Sequence, residues 1–450
     1  MSSTMVISAD ALGFESLGKV LYEKGWIDFF VHGPQREPLY PFLISWSMRI
    51  AGLMNIPYQK VQMVLQFSIL FITQIFVLII LGRLGVSRVL RTAVGLYITI
   101  SPALTNSALS LYSEVLTYPL ILGIVASAVY AWRCLGGKSI IRIVGAGVIT
   151  SFFFISLIFA KVAYYYSFFI FHIPFLLLAL VSLVVKQKRK VFWNVVFYFS
   201  LTIGLVHFFV ISYKLINHRF NGYFEFTDRG AGHFWTGAAE RTEPHTGSAL
   251  LAHLAAVPGE GICKRFFSED ECRKVSFFGS DDLRVAATSN LLSGLPSSIH
   301  SRVLMSNGFE LISRRPFQYA LLYSIEGLRS FFWETSRLGF VDYPGWLGVV
   351  YRNNIFNDTL RVVISTLTIF SFFYLVIQLI KKFMIGDNFY RSPNDRDVFS
   401  FFTIIMIISH TAIYALANIV TRYCLHIAPL FLICIALTFD SLLSGIQKNS

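Results

Sequence analysis

Five acids in the polar stretches of this chain are placed where a membrane enzyme could use a base: Asp10, Glu15, Asp28, Glu37 and Glu114. Glu114, in "SALSLYSEVLTYPLIL", sets a carboxylate at the mouth of two apolar runs, where charge is costly unless it has a partner or a task. The alternative is a plain helix-start residue after Ser113. Asp10 has the same double reading, as a base or as the cap of a helix beginning near Leu12. Three cations stand near ends of apolar runs: Arg36, Lys161 in "FAKVAYYY" and Arg422 in "NIVTRYCLHIAP". Arginine suits bidentate contact with phosphate, although Lys161 and Arg422 could also snorkel toward lipid headgroups. A carboxylate there could serve as a base at the bilayer surface, and cations on the same side could hold a phosphate. No P-loop, G-x-G-x-x-G, H-E-x-x-H or nucleophile elbow is present. The ten histidines, including His207 and His410 inside apolar runs, show no metal spacing and read as packing residues.

These residues need a membrane scaffold. The chain of 450 residues is 55% hydrophobic and only 14% charged, well below the quarter or so of charged residues usual in soluble domains. Nine runs are long enough to cross a bilayer: 63–82, 92–109, 115–132, 143–160, 167–185, 193–214, 361–381, 398–417 and 425–443. A net charge of +13 invites a nucleic-acid reading, but the bases cluster in alternate loops, which is the positive-inside pattern and points to no nucleic-acid partner. The clusters are Arg83, Arg88 and Arg91; Arg133, Lys138 and Arg142; "KQKRK" at 186–190; and Lys381 with Lys382. The amino-terminal stretch and the segment 215–360 then share the external side. With nine spans the amino terminus lies outside without an export signal, so a tenth, preceding helix is expected.

Four parts follow: an external first loop with juxtamembrane helices (1–60), a six-span block (61–214), an external domain (215–360) and three closing spans (361–450). In the first part "FESLGKVLYEKGW" carries a helical apolar stripe of Phe14, Leu17, Leu21 and Tyr22, and "REPLYPFLISWSMRIAGLM" reads as an interfacial helix. In 215–360, Pro316 divides a helical pattern into two helices. Cys263 and Cys272 share that segment, and a Cys pair in an oxidising compartment often forms a disulfide, the alternative being two free thiols. No repeat of the first half is visible in the second, which counts against transporters built from repeated halves.

The opening loop resembles that of the GT-C glycosyltransferases of the protein O-mannosyltransferase and aminoarabinose-transferase type. The matching residues are Asp10, Phe14, Gly18, Leu21 and Gly25, with the Pro-x-Tyr-Pro element of "REPLYPFL", Pro38 to Pro41, closing the loop. Four later pieces match in order: "ISPALTNSALSLYSEVLTYPL", "SLIFAKVAYY", "LINHRFNGYFEF" with "GHFWTG", and "RYCLHIAPLFL". Two departures stand out: no helix precedes the Asp loop, and the second acid often beside the first Asp is Ala11.

The resemblance implies a polytopic α-helical, GT-C-like enzyme of a plasma (bacterial inner) membrane, active on its periplasmic or external face. It would move a sugar from a polyprenyl-phosphate-linked donor to a hydroxyl of a glycan, lipid or protein acceptor, with inversion. Asp10 would be the base and Glu114 a second acid. Lys161, Arg422 and Arg36 would hold the donor phosphate, and Phe14, Pro38 and Tyr40 would position the loop. A divalent cation, Mg or Mn, would find its ligands in Asp10 and Glu114 if the reaction uses one. Membrane lipids are the remaining partners. The rivals are a multi-span glycan polymerase or ligase, which would depend on Arg and His of the long external segment, and a lipid or solute transporter, which would hide charge in mid-span.

Overall fold

The computed structural model describes residues 4–33, 35–137, 139–184, 189–227, 229–244, 247–275, 288–295, 297–335, 341–343, 345–384, 394–417 and 421–449. Of the expected basic loop residues, Lys138, Lys186 and Lys188 lie outside them. The described part is helical apart from one antiparallel pair, β1 (Thr4–Met5) against β2 (Val341–Asp342).

Three helices form the first layer: α1 (Asp10–Glu23), α2 (Trp26–Val31) and α3 (Leu39–Met54). Phe14, Leu17 and Leu21 of α1 are buried, each worth about 1.5–3 kcal/mol over exposure. Tyr22, expected in the same stripe, is exposed instead, one position past the buried face. Helix α1 sits hard on α3: a Cβ at Gly18 would stand 2.5 Å from Ile44 Cγ2, so only glycine permits the approach. On its exposed side Trp26 stacks on Phe42 at 5.7 Å.

Eight helical segments are long and apolar enough to cross a membrane among the described residues. They are α4 (Tyr58–Arg83), α7 (Glu114–Leu135), α8 (Ile140–Ala160), α9 (Tyr164–Val184), α10 (Arg189–Asn221), α18 (Asn354–Met384), α19 (Asp395–Leu416) and Arg422–Gly445. The last comprises a short turn α20 (Thr421–Cys424), a 3₁₀ turn and α21 (Ala428–Asn449). The ninth expected span, 92–109, is not a continuous helix. It breaks into α5 (Arg88–Ile100) and α6 (Pro102–Leu109), because Pro102 supplies no N–H and turns Ser101 extended. The new helix start is met by Glu334, fully buried, whose carboxylate accepts from Tyr97 Oη at 2.6 Å, Ser101 Oγ at 2.7 Å and the Ala103 N–H at 2.9 Å.

At one end of the bundle the turn between α4 and α5 is tied off. Arg396 donates through Nε to Leu84 O at 2.5 Å and through Nη2 to Gly85 O at 3.0 Å and Asp440 Oδ2 at 2.6 Å. Asp440 Oδ1 in turn accepts from the Ser87 N–H at 2.8 Å. Arg133 with Asp395, and Lys382 with Asp397 at 2.5 Å, pair at the same end.

The opposite end carries the rest of the chain. Helices α11 (Arg229–Thr242), α12 (Gly247–Ala256), α13 (Glu260–Cys263), α14 (Glu269–Lys274), α15 (Ser297–Arg314), α16 (Pro316–Arg329) and α17 (Gly345–Tyr351) belong to it. The expected break falls between α15 and α16, at Pro316. Helix α11 packs on α15 and α16, and α16 on α19, so this layer roofs the bundle end. Cys263 and Cys272 are joined by a disulfide, with Cα atoms 5.9 Å apart, and lie buried against α12.

Candidate functional site

Asp10 is the first residue of α1, which begins with Ala9 in the left-handed region at φ 48°, a strained conformation for a side chain with a Cβ. Among the described residues no side chain caps the start of α1, and the Asp10 carboxylate is given to arginines instead. Arg36 Nη2 donates to Oδ1 at 2.7 Å, Arg422 Nη2 donates to Oδ2, and Arg229 Nη1 stands 3.8 Å from Oδ1. Burial alone would raise the carboxyl's pKa, but the charges and hydrogen bonds of Arg422 and Arg36 hold it well below the usual carboxylate range. Arg36 reaches Asp10 by lying over Gly13 and the Phe14 ring: its Nε is 2.9 Å from where a Gly13 Cβ would be, and its guanidinium carbon is 4.1 Å from the ring centroid.

Glu114, the first residue of α7 and 2% exposed, belongs to the same constellation. Its Oε1 lies 3.4 Å from Lys161 Nζ and 3.7 Å from Arg422 Nε. Arg422 therefore stands between the two carboxylates, with its guanidinium over the Tyr112 ring at 4.8 Å. Lys161 closes α8 in an extended conformation, 5.6 Å from the Tyr423 ring. The five expected residues Asp10, Arg36, Glu114, Lys161 and Arg422 thus come together from α1, the α2–α3 loop, α7, the end of α8 and α20.

A cavity of about 680 Å³ opens beside them, between the bundle end and the roofing layer. Arg36, Lys161, Lys214, Arg229 and Arg422 bring cations to its lining, and Glu37 and Glu225 bring its carboxylates. Phe224, Phe226, Phe234, Met305 and Phe309 supply an apolar side. Asp10 and Glu114 do not line it; they stand behind the cations.

The loop-positioning residues divide. Phe14 meets Tyr40 edge-on at 5.1 Å, and Pro38 precedes the first residue of α3. Tyr40 belongs to a buried polar ladder on α4 rather than to the charged cluster: Tyr40 Oη donates to Gln66 Oε1 at 2.8 Å, and Gln66 Nε2 donates to Ser110 O at 2.7 Å. Gln62 and Gln66 are polar residues at the head of a greasy helix, and that misfit was their sequence signal. Arg229 and Lys214 were also missed. Arg229 stands just ahead of the "GHFWTG" piece, but nothing in the sequence ties a residue there to Asp10, 219 positions earlier in the chain.

The donor set does not suit a divalent cation. Both Asp10 oxygens are engaged by guanidiniums, Glu114 shares Arg422 with Asp10, and no group of three or more His, Cys, Asp or Glu side chains converges among the described residues. No protein-family model matches the chain, and a comparison with curated proteins finds no similar one.

Proposed function

We propose that the chain is a membrane glycosyltransferase that moves a sugar from a polyprenyl-phosphate donor to an acceptor hydroxyl. The observation that carries this reading is the gathering of five cations on the cavity lining beside an apolar side, more than the two carboxylates of the lining and the two, Asp10 and Glu114, behind it together. A lipid-linked sugar phosphate needs both: cations where negative charge grows on the departing phosphate, and a greasy path for the prenyl chain. Arg36, Arg422 and Lys161 are assigned to the phosphate, joined by Arg229.

Asp10, expected to be the base, is in this geometry the counter-ion of Arg36 and Arg422, because a carboxylate with both oxygens held and its basicity depressed is poorly matched to proton abstraction near neutral pH. We assign it and Glu114 as positioning residues that keep the cations at the cavity until a phosphate takes them. Attack by the acceptor opposite the leaving phosphate inverts the anomeric carbon. The end of the bundle away from the cavity carries Arg83, Arg88, Arg133, Lys381 and Lys382, which supports placing that end in the cytoplasm and the cavity outside.

One observation favours the polymerase or ligase alternative: Arg229 and His233, an Arg and a His from the long segment, also line the cavity. The two readings separate on the donor. Purified protein is expected to release undecaprenyl phosphate from undecaprenyl-phosphate-linked mannose, glucose or arabinose in the presence of native membranes, with the sugar recovered on an acceptor. Turnover only of undecaprenyl-pyrophosphate-linked oligosaccharides decides for the polymerase or ligase. Retention of neither lipid class overturns both.

A further inference from the structure

We propose that Glu37 is the base that receives the proton of the acceptor hydroxyl. The proposal rests on reading the cavity as a glycosyl-transfer site.

Four carboxylates, Asp10, Glu37, Glu114 and Glu225, lie within the charged constellation or on the cavity lining, and among them Glu37 is the one anchored by a backbone N–H with its second oxygen open. Asp10 has Arg36 and Arg422 on its two oxygens. Glu114 is buried behind the cations, with Oε1 paired to Lys161 and Oε2 sealed from solvent. Glu37 lines the cavity itself. Its Oε1 accepts the Val162 N–H at 3.0 Å, which fixes the carboxylate beside the α8–α9 turn, next to Lys161. Its Oε2 has no hydrogen-bond or ion-pair partner among the described residues. One oxygen anchored by backbone and one left unpaired, on a residue that lines the cavity, is the arrangement a general base needs, since geometry must be set before proton transfer is useful.

Its neighbours in sequence strengthen the assignment. Arg36 precedes it and is assigned to the donor phosphate, so a single dipeptide would serve the leaving group with one side chain and the nucleophile with the next. Pro38 follows, restricting the Glu37 backbone to extended conformations. Glu225, the other cavity carboxylate, is held by a side chain instead, accepting from Ser301 Oγ at 2.9 Å on the roofing helix α15.

The step balances. The acceptor oxygen forms a bond to the anomeric carbon as that carbon's bond to the phosphate oxygen breaks. The bonding pair leaves with the polyprenyl phosphate, whose new charge faces Arg36, Arg422 and Lys161. The acceptor's proton moves to Glu37 Oε2 and later returns to water.

Glu37→Gln keeps the shape and the oxygen that accepts from Val162. It is expected to bind undecaprenyl phosphate within about twofold of the parent by native mass spectrometry. Release of undecaprenyl phosphate from the sugar-linked probes should fall by about 10²–10⁴-fold. Glu37→Asp, which withdraws the carboxylate by one methylene, is expected to lose about 10²-fold with binding retained, and serves if the amide variant does not accumulate. Near-parental release by either variant overturns the assignment, as does a loss of this size in Glu225→Gln with Glu37→Gln unaffected. If the parent neither retains undecaprenyl phosphate nor releases it from any probe, the transfer reading of the cavity falls, and the role of Glu37 falls with it.

Discussion

The two ends of the helical bundle are both rich in charge, and they use it in opposite ways. Where α4 turns into α5, Arg396 and Asp440 spend their donors and acceptors on each other and on the backbone of Leu84, Gly85 and Ser87. Those contacts cap one helix end, hold the next helix start and match the charge of Arg396 with that of Asp440. At the cavity end Asp10 and Glu114 face Arg36, Arg229, Arg422 and Lys161, with Lys214 close by, so cations exceed the carboxylates that hold them. Charge at the end of a membrane helix does not by itself mark a site. An unbalanced cluster next to a cavity does, because its surplus is available to a ligand.

The sharpest way to break this contrast is Arg422→Ala, which strips a guanidinium from between two carboxylates. A loss of about 3 kcal/mol of stability is expected, with undecaprenyl phosphate affinity about 10²-fold weaker. Adding Asp10→Asn to that variant should restore part of the stability by removing one of the stranded charges, and only the small part of the affinity that freeing Arg36 provides. Thermal unfolding and native mass spectrometry of both variants are the measurements; parental affinity in Arg422→Ala would remove the cavity end's claim to a ligand.

Asp440→Asn probes the other end. Unfolding should come easier by about 2 kcal/mol, because Arg396 loses its charged partner, while undecaprenyl phosphate affinity and turnover stay at the parental level. A change in turnover larger than a few-fold would mean that the tied-off end is coupled to the site.

The smallest effect expected is in Asp10→Asn alone. Freed of their counter-ion, Arg36 and Arg422 should bind undecaprenyl phosphate several-fold more tightly, whereas turnover falls only about tenfold as their placement loosens. Because the folded carboxyl titrates below its unfolded value of about 3.9, its contribution to stability is complete above that value and is lost only as pH falls through the folded one. The stability difference between parent and Asp10→Asn should therefore be flat from pH 5 to 8. A slope in that window would show that Asp10 is not held as an ion pair.

Much of the scaffold was legible because membrane helices announce themselves by length and greasiness: α7 to α10, α18 and α19 stand where apolar runs predict them, give or take a few residues. The run 92–109 misled because hydropathy counts apolar residues and does not weigh the missing N–H of Pro102 or its effect on Ser101. Arg36, Lys161 and Arg422 were legible as charges near span ends on the same side as Asp10, whereas Arg229 and Lys214 were not. What stayed hidden was pairing. Nothing in a sequence says that Asp10 is saturated while Glu37, in the same loop, keeps an oxygen open. Gly13 was equally silent, since its importance lies in the Arg36 side chain that crosses it.

The corner at Ser101 also has a consequence in time. The carboxylate that completes it, Glu334, is 233 residues further along the chain, on the stretch that leads out of the roofing layer. During synthesis α5 and α6 leave the ribosome long before their cap exists. The first block is therefore made with an uncovered helix start, and the contacts of Tyr97, Ser101 and Ala103 with Glu334 close only after the roofing layer has been made. The corner of the bundle is thus completed only by residues made after the layer that roofs the cavity.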